Sequence, residues 1–166
     1  MENIFSKTGN IEMFIDEKNN IVIFPSSKDG ITNYPIELFY PYSVEELANT
    51  IEKAVNEYDK HPHYIVYRNG RKVRKILVEI YYNQTGFQNA SKGKRLVDLG
   101  WNSVWGNYVN LMMPCKGRAE SYDGIEKIEL PPSAYFKDYA EGVIKLINLD
   151  LKTHSVFKAY KRHLNW

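Results

Sequence analysis

Ser43-Val44-Glu45-Glu46-Leu47-Ala48-Asn49-Thr50-Ile51-Glu52-Lys53-Ala54-Val55-Asn56-Glu57-Tyr58 is the stretch on which the fold turns. Ser43 with Glu46 three residues on is a capping-box pattern: the hydroxyl accepts from an amide of the first turn and the carboxylate reaches back to the Ser43 amide. Val44, Leu47, Ala48, Ile51, Ala54, Val55 and Tyr58 then recur at helical spacing on one face. A stripe of that width must be buried against a second layer. The residues before it say what that layer is. Ile11–Ile15 and Ile21–Phe24 are β-prone runs joined by the polar link Asp16–Asn20, which reads as a hairpin, and Ile36–Tyr40 reads as a third strand ending at Pro41. Residues 25–30 supply turn-forming breakers between them. The helix is therefore predicted to lie on a sheet.

The same order returns near the other end. Tyr108–Met113 is β-prone and Pro114 breaks it; Ile128-Glu129-Leu130 precedes Pro131-Pro132-Ser133. An offset of 92 residues places Ile36-Glu37-Leu38 on Ile128-Glu129-Leu130 and sets Leu47, Ala48, Ile51, Ala54 and Val55 on Tyr139, Ala140, Val143, Leu146 and Ile147. Short apolar patterns coincide easily, but the shared Ile-Glu-Leu, Asp-Gly and proline positions are not required by periodicity. The expectation is an α+β single domain spanning 1–166, an antiparallel sheet packed by amphipathic helices, made of two pseudo-repeated β-β-α halves at about 10–60 and 105–150. Between the halves lies a basic and aromatic connector. Its Asn69-Gly70 is a strong hairpin signal flanked by Tyr64–Tyr67 and Ile76–Ile80, of which the second flank reads equally as a buried helix. Residues 86–100 are polar, basic and glycine-bearing, and 101–105 open an apolar stretch that reads as loop or short helix. Val156, Phe157, Tyr160 and Leu164 predict a terminal amphipathic helix at about 154–164 with a basic outer face.

Composition narrows the function classes. A chain of 166 residues buries roughly 70% of its unfolded surface and needs no metal or disulfide staple. The single cysteine, Cys115, excludes an internal disulfide and fits the reducing cytoplasm. The N-terminal residues lack a signal peptide's basic start and apolar run, and no stretch has the length of a membrane span, so a cytoplasmic protein with no membrane partner is expected. A net charge of +2 is too mild to imply nucleic acid by itself.

Catalytic and metal motifs are sought in vain. His61-Pro62-His63 has a proline where two imidazoles would need one-face spacing, and His154 and His163 lie among basic residues. Cys115 needs a nearby base to act as a nucleophile. No nucleophile elbow, His-Glu-x-x-His pair or phosphate loop occurs. No catalytic residue, metal or cofactor is assigned, so the chain is expected not to be an enzyme. One cluster does suggest a ligand: Arg68, Arg71, Lys72, Arg74 and Lys75 stand among Tyr64, Tyr67, Tyr81 and Tyr82, a pattern that can hold phosphates and stack bases. The plainer reading, a solvated hairpin tip, is favoured over a nucleic-acid site, and the same surface could also meet an acidic protein.

The strand, proline, strand and capped Ser-Val-Glu-Glu-Leu helix of Ser43–Tyr58, with Trp101–Val109 leading through Ile128-Glu129-Leu130-Pro131 into the Ala140 helix, resembles the immunity proteins of bacterial contact-dependent growth inhibition systems. At 47–48 this chain has Leu-Ala where the family pattern has Leu-Gly. The resemblance implies a cytoplasmic antidote, without catalytic residues, that binds the toxic C-terminal domain of an incoming effector, often a nuclease, and blocks its active site. An inhibitor of a basic cleft should present acidic surface, so either the acidic patch is local or the toxin is not a basic nuclease. Loops on a rigid scaffold carry specificity. The expected toxin contacts are accordingly Asp29 and Tyr34 in one variable loop and Glu120, Tyr122 and Asp123 in the other, joined by Trp101 and Trp105, of which at least one is expected to pack in the core instead. The alternative is a small nucleic-acid-binding protein using the segment 68–75.

Overall fold

A computed structural model of the chain describes residues 9–27, 30–31, 35–60, 67–68, 71–72, 78–101, 106–114 and 122–150. Strand β1 (Gly9–Ile15) turns through Asp16–Asn20 into β2 (Ile21–Phe24). The Asp16 carboxylate builds that turn by accepting from the amides of Lys18 (2.8 Å) and Asn20 (2.9 Å) and from Asn20 Nδ2 (2.9 Å), while Asn19 takes a left-handed φ of 64°. Asparagine and aspartate are the residues that do this at least steric cost. Two-residue strands β3 (Ser26–Ser27) and β4 (Gly30–Ile31) pair with each other, and β5 (Ile36–Leu38) returns to β2. Helix α1 (Val44–Lys60) follows with the expected reciprocal cap: the Ser43 amide donates to Glu46 Oε2 (2.7 Å) and the Glu46 amide to Ser43 Oγ (3.1 Å).

After α1 come the paired β6 (Tyr67–Arg68) and β7 (Arg71–Lys72), the helical residues 78–81 (α2), α3 (Phe87–Ser91), β8 (Arg95–Trp101), β9 (Asn107–Pro114), β10 (Tyr122–Leu130) and α4 (Phe136–Ile147). Six strands form one antiparallel sheet in the order β10-β9-β8-β1-β2-β5. Helices α1 and α4 cover one face. There Leu47, Ile51 and Val55 of α1 meet Tyr139, Val143 and Leu146 of α4 over Ile11, Met13, Ile23, Val97, Leu99, Val109 and Leu111. Each such side chain, fully buried, contributes about 1.5–3 kcal/mol. The opposite face is apolar only where Val78, Phe87 and Ala90 of α2 and α3 cover Phe14, Val22, Phe24, Leu96 and Met112. The α+β architecture, with an antiparallel sheet packed by helices, is the expected one.

Three readings need correction. The stretch 86–100 is not a polar connector: it holds α3 and β8, and β8 is a central strand paired with β1 along its length, from Gly9↔Trp101 to Ile15↔Arg95. Trp101 does not open a loop or short helix; it is the last residue of β8. The third strand stops at Leu38, because the Tyr40 amide donates to Asn20 Oδ1 (3.1 Å) and so leaves the ladder, ahead of a cis Tyr40–Pro41 bond. Of the two readings of Ile76–Ile80, the described residues take the helical one, with Val78 buried.

Positions related by the 92-residue offset occupy corresponding places. Leu38 pairs with Ile21 on β2, and Leu130 with Asn107 on β9; α1 begins at Val44 and α4 at Phe136. The Tyr135 amide donates to Asp138 Oδ2 (2.7 Å), as the Ser43 amide does to Glu46. Three strands of the sheet precede each helix, β1, β2 and β5 before α1 and β8, β9 and β10 before α4, one more than β-β-α, and β8 lies outside the expected second half at 105–150.

Candidate partner-binding surface

The sheet ends at β5, and the exposed apolar surface gathers beside that edge. Among the described residues five large hydrophobic side chains are exposed, and four of them belong here: Phe39 (65%), Tyr40 (59%), Ile80 (69%) and Tyr81 (36%). Phe39 and Tyr40 follow directly on the edge strand, whereas Ile80 and Tyr81 come from α2. A cross-link joins the two segments, for the Tyr81 hydroxyl donates to Glu37 Oε1. Tyr81 also stands edge-on to Phe24 (5.5 Å between centroids) and to Tyr82 (4.8 Å). Tyr82 in turn leans on Phe14 (6.2 Å), a residue of the second-face core. Tyr40 stands edge-on to Tyr42 (5.8 Å), whose hydroxyl donates to the Asn19 carbonyl (2.9 Å). The exposed rings are thus mounted on buried rings and on the β1–β2 turn, which holds them in place.

The electrostatics of this edge come from carboxylates. Burial, reinforced by Tyr40 and Asp16, pushes the Tyr42 hydroxyl up to about 12. Burial together with the bond to Glu37 and its charge pushes Tyr81 up to about 12 as well. Tyr82 is raised by burial and by Tyr81, Asp16 and Glu37. Lys94 lies across the Tyr82 ring (3.9 Å) and donates to the Ala90 carbonyl (2.9 Å); burial lowers its pKa and Asp16 opposes that shift.

A second polar cluster lies on the same sheet face farther across. Glu12 and Asp98 are buried and stand directly opposite each other on β1 and β8. Asp98 accepts from Asn10 Nδ2 (3.0 Å) and from the Tyr108 hydroxyl (3.1 Å), and burial, followed by Asp98, raises the Tyr108 pKa. Gly100 makes room for that ring: a Cβ there would stand 2.2 Å from Tyr108 Cζ. These contacts close a buried polar network in the sheet centre. Among the described residues no group of three or more His, Cys, Asp or Glu is arranged to hold a metal.

The expected contact residues fare differently. Trp101 is 3% exposed and packs in the core under α1 and α4, so it offers no surface to a partner. Tyr122 and Asp123 open β10 opposite Pro114 and Met113 of β9. Asp29, Tyr34, Trp105 and Glu120 lie outside the described residues, as do Arg74, Lys75, Cys115, the four histidines and the expected terminal helix. Arg68, Arg71 and Lys72 lie on β6 and β7, in the register Arg68↔Arg71 and Tyr67↔Lys72 expected around Asn69-Gly70. The β5 edge escaped sequence reading because Phe39 and Tyr40 look like strand interior. Pro41 immediately after them was the available sign that the pairing stops.

No protein family, curated protein or solved structure matches this chain. No helix among the described residues is long and apolar enough to cross a membrane.

Proposed function

We propose that this chain is an immunity protein of the contact-dependent growth inhibition type. It binds the toxic C-terminal domain of an effector, a nuclease, in the cytoplasm and blocks its active site, using neither a catalytic residue nor a cofactor. The observation that carries the reading is the concentration of exposed rings at the β5 edge, mounted through Tyr81 on Glu37 and through Tyr40 and Tyr42 on the β1–β2 turn. Aromatic side chains dominate the energetics of protein interfaces, and rings already held in position lose little entropy on binding. Contiguous exposed apolar surface of this kind marks interaction sites. The matching caps and registers of the two halves support a duplicated unit as the scaffold.

The test is neutralisation. The toxin domain encoded directly upstream of this gene should lose its nuclease activity on mixing with equimolar protein, and cells expressing the chain should survive that toxin. Full toxin activity in the presence of excess protein refutes the reading.

A second reading keeps one observation in its favour. The register of β6 and β7 pairs Arg68 with Arg71 and Tyr67 with Lys72, so three basic positions fall on one short hairpin. On that reading the chain binds RNA or DNA through 68–75, its affinity falls steeply with salt, and Arg71→Glu with Lys72→Glu abolishes binding.

A further inference from the structure

We infer that the β5 edge receives a cationic face of its partner, with arginine or lysine side chains laid on Phe39 and Tyr40 and paired with Glu37 and Glu79. The chain as a whole is net positive at +2, yet the two segments that make the edge, 35–46 and 78–90, hold Glu37, Glu45, Glu46 and Glu79 and no lysine or arginine at all. Glu37 is exposed on the same stretch as Phe39 and Tyr40, and Glu79 directly precedes the exposed Ile80; Glu45 already pairs with Lys137 of α4 (3.9 Å). A ring face attracts a cation through its quadrupole, and neighbouring carboxylates add to that attraction. The protein already uses this arrangement once, at the border of the same patch. There the Lys94 ammonium sits 3.9 Å from the centroid of Tyr82; burial lowers its pKa, and the Asp16 carboxylate opposes that shift. Phe39 and Tyr40 present the same chemistry outward.

This partner chemistry rests on the immunity reading and names the toxin surface as basic, which is the surface a nuclease offers to phosphates. The test uses an arginine-rich peptide, with its glutamate-substituted counterpart as control, titrated into the intact chain and followed by backbone amide shifts. The expected result is saturable binding of the arginine peptide alone. Shifts should concentrate at 36–46 and 78–82, and affinity should weaken as salt rises. Tyr40→Ala should weaken binding about two- to five-fold, the size of an exposed cation–π contact. Glu37→Gln combined with Glu79→Gln should weaken it too and flatten the salt dependence. The inference is overturned by shifts that fall elsewhere, by equal binding of the acidic peptide, by no binding, or by self-association that buries the edge against a second copy. In each of those cases neutralisation of the toxin domain still decides the immunity reading independently.

Discussion

The Tyr81 hydroxyl donates to the carboxylate of Glu37, and this one bond ties α2, which covers one face of the sheet, to the strand at its edge. Tyr81→Phe removes the bond and keeps the ring against Phe24 and Tyr82. Because both partners are substantially exposed, the expected loss of global stability is at the low end of the usual 0.5–1.5 kcal/mol range, about 0.5 kcal/mol. The local effect should be larger. Amide exchange at 78–82 is expected to accelerate in Tyr81→Phe while exchange in β1 and β8 stays unchanged.

Tyrosine burial sets an alkaline limit on stability. Tyr42 and Tyr81 are raised from 10.0 to about 12, and Tyr82, Tyr108 and Tyr139 are raised as well, burial being the largest cause in every case. The folded chain thus holds these protons more tightly than the unfolded chain does. Below 10.0 both states are protonated and stability is unaffected; between 10.0 and about 12 the unfolded state alone releases protons, so stability falls as pH rises. Urea midpoints measured across that interval should decline, and absorbance titration should show these tyrosines ionising after the exposed ones.

Helix α4 approaches β9 closely at Gly142, where an added Cβ would stand 2.8 Å from Val109 Cγ2. Alanine ordinarily stabilises a helix interior by up to about 1 kcal/mol over glycine. Here overpacking against a buried neighbour wins, and Gly142→Ala is expected to destabilise by about 1–2 kcal/mol in chemical denaturation. In a Val109→Ala background the same change should become neutral or stabilising, which isolates the contact from any general effect of the substitution.

The two caps should differ in strength. Ser43→Ala removes a side-chain acceptor for the Glu46 amide and should cost about 1 kcal/mol. Asp138→Ala removes only the acceptor of the Tyr135 amide and should cost less, read from the same denaturation curves.

What was legible in the sequence follows from where polar and apolar residues alternate. The β1–β2 hairpin could be read because its β-prone runs flank the polar Asp16–Asn20 turn, and α1 with its cap and the Ile-Glu-Leu positions because one side of each faces solvent. Strand β8 could not. Its residues Leu96, Val97, Asp98, Leu99 and Trp101 are all buried, since helices, ring clusters and the polar network cover both faces, and a strand enclosed on both sides loses the period of two. Asp98 and Gly100 then looked like loop residues, whereas one closes a hydrogen-bond network and the other clears space for Tyr108. The site was harder still. Glu37 and Tyr81 are separated by 44 positions, and nothing local to either residue announces that they meet.

The measurement that bears most directly on the proposed function is the affinity of the chain for the C-terminal domain that the immunity reading expects the adjacent upstream gene to encode, for wild type and for Phe39→Ala with Tyr40→Ala. The account predicts a one-to-one complex of nanomolar or tighter affinity for wild type, on the order of −12 kcal/mol, with toxin activity lost in the complex. It predicts that the double variant, folded normally, binds about 30-fold or more weakly, as expected for interface anchors. A wild-type chain that forms no complex, or a double variant that binds and neutralises as well as wild type, contradicts it.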